Sequence, residues 1–588
     1  MKHCHFLPVG WLALFLLLRT GSWAQAQAPA WQSAIVSSAP TPLSGGAAVV
    51  ATATDANGDV YLLGNFTVAN LQFGSLQFAG DSHAPGNSVL FVVKWSVATN
   101  RFVWGLQSGS TSGVTVATGL AVRGGNVYVT GYFSQNAQFG NTSLTVPFTS
   151  TSGTPSNVFV AKITDAGTTA DFTWAQKIDS PTSLGNLLSR PAIAVEGTNV
   201  YVAGNFRDPS TTTAPSGFGG LSLSSQGGYD VFVTKLVDAG PSSSFAWVQG
   251  AGGTDADNAF ALTVRGADIY VAGYFNGIAS FGSTTLTSAG GTDGFVAKLI
   301  DAGASGSFVW AKATSGTGDG TSQALARAPN GVYVAGSFTG AAGFGNITLA
   351  SAGGTDGFVA KLTDAGATGS FAWAQRAGGT GDDNLTALAP FPAGVYAGGS
   401  FSGIASFGTT ALTSLGGTDA VVTKLTDAGS GSFAWALSAG STSNDRTNDL
   451  VVPAGGNTLY VGGQVVSANS PATFGPVSIV GTNSGASAFM ATIVNGTVTA
   501  TATGVLATSL AISPNPAHGR ATLRVPAEAG TATAMLTVLD ALGRPVRTQI
   551  VLTNARAELD LAGLPAGLYV VRVQAGGSPP ATQRLVLE

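Results

Sequence analysis

The sequence has 588 residues and a net charge of −4, with 44% apolar residues, only 9% charged residues and 82 glycines. So few charged residues with so many apolar ones exclude an intrinsically disordered chain. The chain has no excess of basic residues, which excludes a surface that binds nucleic-acid phosphates. The glycine content indicates dense turns, and the length exceeds one average domain unless a repeat extends the core along the chain.

The N-terminal segment has the features of a secretory signal peptide. Lys2 precedes an apolar run over residues 6–18, and Ala24-Gln25-Ala26 fits the small-residue pattern of a cleavage site. We therefore expect residues 1–26 to be removed on export. The only cysteine, Cys4, lies in this segment, so the mature chain has no thiol for disulfides, metal ligation or nucleophilic attack. Neither this run nor any later one is long enough to predict a transmembrane helix.

Three markers recur in one fixed order through the following residues 27–500. The first is an F-x-W pattern that starts at Phe102, Phe172, Phe245, Phe308, Phe371 and Phe433, with Trp31 as a degenerate copy. The second is a tyrosine followed three residues later by glycine, at Tyr61, Tyr128, Tyr201, Tyr270, Tyr333, Tyr396 and Tyr460. The third is a Phe-Gly dipeptide, at Phe73, Phe139, Phe218, Phe281, Phe344, Phe407 and Phe474. The markers predict seven repeat units.

One well-preserved unit shows that the repeat is built from strands. Residues 332–336 and 358–362 are short β-branched or aromatic runs bounded by turn residues, and both of their faces are apolar. Such strands belong to sheets that pack against other sheets on each side. Asp364-Ala365-Gly366 predicts the turn before the F-x-W strand, and residues 344–349 predict an added hairpin or loop. We expect four core strands per unit: an Ala-Leu-x-Val strand, the tyrosine strand, a Phe-Val-Ala-Lys-Leu strand and the F-x-W strand.

These segments resemble the SBBP-type β-propeller repeat. The resemblance rests on the V-Y-V-A-G, G-G-T-D-G-F-V-A-K-L and F-x-W segments over most of residues 30–495, and it implies an all-β, seven-bladed propeller of unspecified ligand. Two segments are candidates to close the last blade. One is residues 31–36; the other is a hairpin that turns at Asn495-Gly496 and continues through residues 497–503. We favour the first, because a ring closed by its own N-terminal strand leaves no free sheet edge.

Beyond about residue 505 the repeat markers stop and arginine becomes frequent, which indicates a separate domain. Alternating segments split by glycine and proline predict a small Ig-like antiparallel β-sandwich. These segments are residues 521–525, 534–539, 546–552, 557–561, 568–573 and 584–587. Residues 501–509 are then a linker, and the second domain spans residues 510–588.

This second domain resembles the type A sorting domain of type IX secretion. The residues that carry the resemblance are Pro514, Asn515, Pro516, Asp540, Gly543, Leu564, Pro565, Gly567 and Tyr569. The resemblance implies passage through the periplasm, recognition by the outer-membrane secretion machinery, and removal or replacement of the domain at the cell surface. One departure is the C-terminus, where Arg584-Leu585-Val586-Leu587-Glu588 ends on an acidic residue instead of the basic residue that often ends such domains.

Carboxylates are the main candidates for chemistry in the mature chain, since His83 and His518 have no partner at ligand or triad spacing. Acidic residues recur after the F-x-W strand, and Asp230, Asp293, Asp356 and Asp419 open the third strand. Both loops are expected on one face, where an acidic crown would suit Ca²⁺. The candidate ligands are Asp255, Asp257, Asp319, Asp382, Asp383 and Asp445. We favour the alternative that these residues are turn formers whose carboxylates bond to their own backbone.

Two further series recur once per unit. The first comprises Lys94, Lys162, Lys235, Lys298, Lys361 and Lys424, which we expect to pack their stems and to expose their ammonium groups. The second comprises the marker tyrosines and tryptophans, which we expect to pack between units.

Taken together, these features predict an exported, non-catalytic scaffold that binds a glycan or a protein at the cell surface or outside the cell. Two alternatives stay open. One is a carboxylate-dependent enzyme that acts on polysaccharide through two aspartates, and the other is a structural spacer in a surface assembly. We single out no catalytic or cofactor residue, and Ca²⁺ is the one ion considered.

Overall fold

The computed structural model describes residues 29–39, 45–80, 87–146, 155–183, 190–208, 216–466, 471–480, 485–494, 512–525, 533–540, 544–552, 555–574 and 581–588. The predicted signal peptide, the predicted linker, the Asn495-Gly496 turn, His83 and Gly543 lie outside these residues. The chain divides into two compact bodies: Gln25–Thr497 forms one, and Val498–Glu588 is grouped with Met1–Ala24 in the other. The elements of the described residues are all strands, and none of these residues forms a helix that is long and apolar enough to cross a membrane.

In the first body, β1 (Ala30–Val36) precedes a series of repeat units. Unit 1 contains β2 (Ala47–Thr54), β3 (Val60–Phe66), β4 (Asn70–Phe73), β5 (Leu76–Ala79), β6 (Val89–Ser96) and β7 (Arg101–Gln107), followed by β8 (Gly109–Ser112). Unit 2 contains β9 (Thr115–Arg123), β10 (Asn126–Ser134), β11 (Asn136–Phe139), β12 (Thr142–Thr145), β13 (Pro155–Asp165) and β14 (Ala170–Ser183). Unit 3 contains β15 (Ala192–Glu196), β16 (Asn199–Phe206), β17 (Ser216–Phe218), β18 (Leu221–Leu223), β19 (Asp230–Asp238) and β20 (Ser243–Gly253).

The units that follow repeat the same plan. Unit 4 contains β21 (Asn258–Arg265), β22 (Asp268–Phe281), β23 (Thr284–Asp301) and β24 (Gly306–Gly316). Unit 5 contains β25 (Gly320–Ala328), β26 (Gly331–Phe338), β27 (Ala341–Phe344), β28 (Ile347–Ala350), β29 (Asp356–Asp364) and β30 (Gly369–Gly379). Unit 6 contains β31 (Asn384–Phe391), β32 (Gly394–Phe407), β33 (Thr410–Thr426) and β34 (Ser432–Gly440). Unit 7 contains β35 (Arg446–Val451), β36 (Thr458–Val465), β37 (Ala472–Phe474), β38 (Val477–Ile479) and β39 (Ser487–Val494).

Unit 5 shows the pairing that the sequence predicts. Strands β25, β26, β29 and β30 form an antiparallel sheet in chain order, and Asp364 ends β29 at the predicted turn. The added segment is the hairpin β27–β28, as predicted. This hairpin also pairs with β24, the fourth strand of unit 4. In units 4 and 6 the corresponding hairpin is continuous with the second and third core strands. The hairpins therefore link each of these units to the one before it.

In units 4, 5 and 6 the glycine three residues after the marker tyrosine is required by the close approach of two strands. A Cβ atom at Gly273, Gly336 or Gly399 would lie 1.8 Å from a backbone carbonyl oxygen of the first strand. The register of the first and second strands shifts beside each of these glycines, as at a β-bulge. Only a residue without a side chain allows this close approach of two strands.

The hydrophobic core of the first body lies between units. One cluster joins Tyr61 and Trp104 of unit 1 to Val129 and Phe159 of unit 2. The first strands contact one another in series from β2 through β9, β15, β21, β25, β31 and β35, and β35 contacts β2 again. Within the described residues, the series of seven units thus returns to its start.

Strand β1 completes unit 7 by pairing antiparallel with β39, so the favoured candidate for closure is confirmed. Trp31 fixes this strand. Its indole is buried, lies 5.3 Å from the ring of Phe474, and donates its Nε1–H to the Ser438 carbonyl at 2.9 Å.

The second body has two antiparallel sheets over one apolar core. Its strands are β40 (Ile512–Ser513), β41 (Arg520–Arg524), β42 (Thr533–Leu539), β43 (Pro545–Leu552), β44 (Arg556–Asp560), β45 (Gly567–Gln574) and β46 (Ala581–Leu587). The sheet orders are β40-β41-β44 and β43-β42-β45-β46. Leu523, Leu536, Val571 and Leu585 are buried between them. All six predicted strand segments are confirmed, and β40 is an addition.

Candidate functional site

Five of the six recurring lysines bind the neighbouring unit, so the prediction that these lysines expose their ammonium groups is wrong. Lys162 Nζ lies 2.7 Å from Asp238 Oδ2, and only 5% of each side chain is exposed. Lys162 belongs to unit 2, whereas Asp238 ends the third strand of unit 3. The next unit covers the lysine and supplies a carboxylate, so the ammonium is buried as an ion pair instead of extending to solvent.

Tyrosine and tryptophan bind the same carboxylate. Asp238 accepts hydrogen bonds from Tyr128 Oη at 2.7 Å and from Trp174 Nε1 at 3.1 Å, and its own turn contributes the Gly240 N–H at 3.0 Å. We call this set an inter-unit clamp: the lysine, tyrosine and tryptophan of one unit and the aspartate that ends the third strand of the next. The tyrosine and tryptophan series does pack between units, as predicted, and also provides hydrogen-bond donors.

The clamp recurs at five joints between consecutive units in the described part of the chain. The other lysine–aspartate pairs and their Nζ–Oδ2 distances are Lys94–Asp165 at 2.7 Å, Lys235–Asp301 at 2.7 Å, Lys298–Asp364 at 2.6 Å and Lys361–Asp427 at 2.5 Å. Burial alone would raise the pKa of the Asp238 carboxyl, but the hydrogen bonds from Lys162, Tyr128 and Trp174 outweigh burial and hold its pKa below the usual value. The clamp aspartates are therefore held as carboxylates.

The joint between units 6 and 7 departs from this pattern. Lys424 has no ion pair with any described residue; its Nζ lies 4.5 Å from the centroid of the Phe391 ring, and burial lowers its pKa. The buried Trp435 Nε1 has no hydrogen-bond partner in the described residues. In sequence, Asn495 takes the place of the clamp aspartate of unit 7.

The joint between units 7 and 1 uses different contacts. Thr492 stands at the clamp-lysine position of unit 7, and Val97 at the clamp-aspartate position of unit 1. Here Asp449 Oδ2 accepts the backbone N–H of Thr52 at 2.6 Å, and Asn448 Nδ2 donates to the Val49 carbonyl at 2.7 Å. These bonds connect the first strand of unit 7 to the first strand of unit 1.

The six predicted calcium ligands fall into an exposed set and a buried set. Asp255, Asp319 and Asp382 are exposed. The Oδ1 atoms of Asp319 and Asp382 accept the backbone N–H groups of Thr292 and Thr355 at 2.9 and 3.0 Å, which ties together two loops.

The buried set comprises Asp257, Asp383 and Asp445, which also accept backbone N–H groups. Among the described residues, no three His, Cys, Asp or Glu side chains come together as a possible metal site. The calcium site stays a prediction. Asp257, Asp383 and Asp445 accept N–H groups of their own turns, whereas Asp319 and Asp382 accept N–H groups of another loop.

Each buried aspartate of this kind has a carboxylate neighbour at the start of the third strand. We call these the carboxylate pairs: Asp230/Asp257 in unit 3, Asp356/Asp383 in unit 5 and Asp419/Asp445 in unit 6. A Cβ atom at Gly252 would lie 2.1 Å from Asp230 Oδ1 and 2.7 Å from Asp257 Oδ2, so both oxygens converge on this glycine. Burial raises the pKa of Asp257 to about 7 and that of Asp230 to about 6.

A pocket lies over the joint between units 4 and 5. Its charged lining residues include Arg265, Asp268, Lys298, Arg327 and Asp364. Lys298 forms ion pairs with both aspartates, and Arg265 donates to the Pro329 carbonyl at 3.0 Å. The pocket therefore lies beside the clamp of this joint. Its lysine already forms ion pairs with both of its aspartates.

Several predicted sorting-signal residues hold the second body together. Asn515 donates its Nδ2–H to the Arg584 carbonyl and accepts the Val586 N–H, both at 2.8 Å, which ties the start of the domain to its last strand. Tyr569 Oη donates to the Pro565 carbonyl at 2.7 Å. Asp540 accepts the N–H and Nε–H of Arg544 around the predicted turn. Leu564 packs against the core, and the peptide bonds before Pro514 and Pro516 are cis.

Sequence reasoning missed the clamp aspartates as partners of the lysines. Of these, only Asp364 was singled out, as a turn residue. The available signal was their recurrence: each occurs once per unit, 66 to 76 residues after the lysine that it binds.

Comparison with known families identifies the C-terminal domain. Residues 511–588 match the model of the secretion system C-terminal sorting domain. The match indicates export by type IX secretion to the cell surface or the extracellular space. The comparison with curated proteins gave no match.

Two solved structures illustrate the similarities to the whole chain. A subtype N10 neuraminidase-like protein of A/little yellow-shouldered bat/Guatemala/060/2010 aligns over 64% of this chain and 93% of its own, with 10% identity and a TM-score of 0.29. Trypanosoma rangeli sialidase in complex with sialic acid aligns over 92% of this chain and 87% of its own, with 10% identity and a TM-score of 0.27. TM-scores this low support no inference about activity.

Proposed function

We propose that residues 27–500 form a seven-bladed β-propeller of the SBBP-repeat type that serves as a non-catalytic binding scaffold outside the cell. Each repeat unit is one blade, and β1 is the outermost strand of the seventh. The four-stranded antiparallel pairing within units and the series of first-strand contacts that returns to β2 support this arrangement. In this proposal residues 1–26 are the signal peptide and residues 501–509 the linker.

The observation that carries the scaffold role is how the chain uses its recurring polar side chains. In each clamp a lysine, a tyrosine and a tryptophan, which are residue types able to serve catalysis or ligand stacking, bind a single aspartate of the next unit. The polar groups of these side chains thus bind one unit to the next. Fixed joints keep the connecting loops in constant positions, which a binding platform requires.

We further propose that residues 510–588 form an Ig-like β-sandwich that the outer-membrane secretion machinery recognises. The two sheets over one core support the sandwich, and the match of residues 511–588 supports the recognition. The bonds of Asn515 to the last strand place the Pro514-Asn515-Pro516 motif beside the C-terminus.

The ligand is a glycan or a protein, and it contacts side chains that differ from unit to unit. Arg207 and Arg446 are exposed and stand where other units have uncharged residues, such as Thr339 in unit 5 and Asn384 in unit 6. They are the candidates to test first, because a change there leaves the clamps and the core intact.

The test uses the exported full-length chain on a glycan array and against surface proteins, with a parallel screen for polysaccharide cleavage. We expect binding without turnover, weakened at least severalfold by Arg207→Thr or Arg446→Asn at an unchanged melting temperature. Turnover of any polysaccharide would overturn the proposal in favour of an enzyme. Failure to bind any glycan or protein would overturn it in favour of a structural spacer.

A further inference from the structure

The carboxylate pair of unit 3 has four oxygen atoms and hydrogen-bond donors for three. Asp230 Oδ2 accepts the Gln226 N–H, Asp257 Oδ2 accepts the Gly253 N–H at 2.8 Å, and Asp257 Oδ1 accepts the Asn276 N–H at 3.2 Å. Asp230 Oδ1 is buried and has no donor among the described residues. This oxygen converges with Asp257 Oδ2 on Gly252.

Units 5 and 6 repeat this deficit. In unit 5, Asp356 Oδ2 accepts the Ala352 N–H at 2.7 Å, and the two oxygens of Asp383 accept the N–H groups of Gly379 and Ser402 at 2.7 and 3.2 Å. In unit 6 the corresponding donors are Leu415 to Asp419, and Ser441 and Val466 to Asp445. The Oδ1 atoms of Asp356 and Asp419 are buried and, like that of Asp230, lack a donor in the described part of the chain.

Unit 4 serves as a natural control, because Gly320 stands where the other three units have the second carboxylate. Here Asp293 Oδ2 accepts the Ala289 N–H at 2.8 Å, and Oδ1 accepts the Gly316 N–H at 3.2 Å. Gly316 corresponds to Gly253 of unit 3, whose N–H goes to the second carboxylate. Among the described residues of units 3 to 6, the Oδ1 of the first aspartate therefore lacks a donor where a second carboxylate accepts that N–H, and has one where it does not.

We propose that each carboxylate pair binds one proton, shared between the unpartnered Oδ1 of the first aspartate and the Oδ2 of the second. The proton supplies the missing donor and reduces the pair to a single negative charge. Two adjacent carboxylates in a buried site do not both ionise at low cost, because each charge is desolvated and repels the other. A metal ion fits less well, since the other three oxygens are already engaged by N–H donors.

The titratable and charged groups that face each pair differ from unit to unit. In unit 3 the facing groups are Asp208, Asp255 and Tyr274; the two further carboxylates favour retention of the proton. In unit 5, Asp382 faces the pair, and Arg376 Nη1 lies 2.8 Å from Asp356 Oδ2. Among the described residues of unit 6, the two aspartates of the pair face each other. Burial, the largest cause, raises the pKa of Asp257 to about 7 and those of Asp383 and Asp419 to about 6.

Asp230→Asn in the full-length chain tests the proposal. The asparagine oxygen still accepts the Gln226 N–H, while its NH₂ group takes the unpartnered position and donates permanently to Asp257. We expect the variant to melt at or above the temperature of the native chain at about pH 8, and to lose part of the decrease in melting temperature between about pH 5 and about pH 8. Asp419→Asn repeats the test at a pair that, among the described residues, forms no ion pair with an arginine.

Asp293→Asn in unit 4 is the matched control. Both oxygens of Asp293 accept N–H groups, so an NH₂ group there faces a donor, and we expect a lower melting temperature at every pH. If Asp230→Asn behaves like this control, or leaves the pH dependence unchanged, the proposal is wrong. If CaCl₂ raises the melting temperature of the native chain and Asp230→Asn abolishes this rise, the pair binds a calcium ion and the proposal of a shared proton is wrong. Infrared spectroscopy gives an independent measurement, since the protonated-carboxyl band must weaken in the variant.

Discussion

Strand β19 begins with Asp230 and ends with Asp238, and the two buried carboxylates have opposite electrostatics. Asp238 accepts hydrogen bonds from Lys162, Tyr128, Trp174 and Gly240, and its pKa is lowered. Asp230 faces Asp257 with one oxygen unpartnered, and burial raises its pKa to about 6. Both side chains are buried, Asp230 more deeply, so the difference in pKa comes from burial together with the number of donors and the charge of the neighbour.

These two environments make stability depend on pH in opposite directions. A clamp aspartate with a lowered pKa stabilises the fold above its unfolded pKa, and that contribution is lost as the pH falls through the lowered folded pKa. A paired aspartate with a raised pKa stabilises the fold at acid pH, and that contribution is lost as the pH rises from about 4 towards 6 or 7.

Removing the clamp lysine has the largest expected effect on this comparison. Lys162→Met leaves the Asp238 carboxylate buried without its cation, and breaking one partner of a buried ion pair costs about 3–5 kcal/mol. Lys424→Met in unit 6 is the matched control, because Lys424 has no ion pair among the described residues and its pKa is lowered by burial. The measurement is the midpoint of guanidinium unfolding for both variants. Equal losses would show that the clamp carboxylate is not what distinguishes the two joints.

The same variant tests the sign of the pH dependence. Without Lys162, the Asp238 carboxyl keeps its burial but loses the group that lowers its pKa, so it takes up a proton in the folded state at a higher pH. We therefore expect the stability deficit of Lys162→Met to shrink as the pH falls from about 7 to about 4. The check is the difference in melting temperature between variant and native chain at each pH. A deficit that stays constant would contradict the ion-pair account.

Much of the fold could be predicted from the sequence, but the surroundings of the buried lysines and aspartates could not. Strand order, the Asp364 turn and the hairpin over residues 344–349 follow from short apolar runs and their turn residues, which are local signals. Closure by residues 31–36 follows from the argument that a closed ring leaves no free sheet edge. The position of the Lys162 ammonium was predicted wrongly, because its partner Asp238 lies 76 residues away in another unit. A strand pattern shows which side chains share a face, but it does not show what covers that face. For the carboxylate pairs, the sequence placed both series of aspartates on one face, but it did not show which of them would be buried against each other.

A smaller effect is expected from removing one neutral donor of a clamp. Trp174→Phe keeps the apolar contact area but removes the Nε1–H bond to Asp238. Hydrogen bonds to charged groups are worth about 1.5–3 kcal/mol, so we expect a loss in that range. Trp435→Phe is the control, as the Nε1 of Trp435 has no partner in the described residues, and it is expected to cost less. Unfolding midpoints that do not differ between the two variants would contradict the role of the indole N–H.

The smallest effect is expected at the exposed aspartates. Substituting one of them tests whether its carboxylate binds calcium or only backbone N–H groups. Asp319 Oδ1 accepts the Thr292 N–H at 2.9 Å, and in unit 6 the amide oxygen of Asn444 accepts the Thr418 N–H at 3.1 Å in the same place. Because asparagine already makes this bond in one unit, Asp319→Asn is expected to change the free energy of unfolding by less than about 0.5 kcal/mol. The melting temperatures of variant and native chain should then respond equally to CaCl₂ and to chelator. A calcium-dependent stabilisation that Asp319→Asn removes would instead make this carboxylate a ligand, since a neutral amide is a poorer donor to Ca²⁺ than a carboxylate.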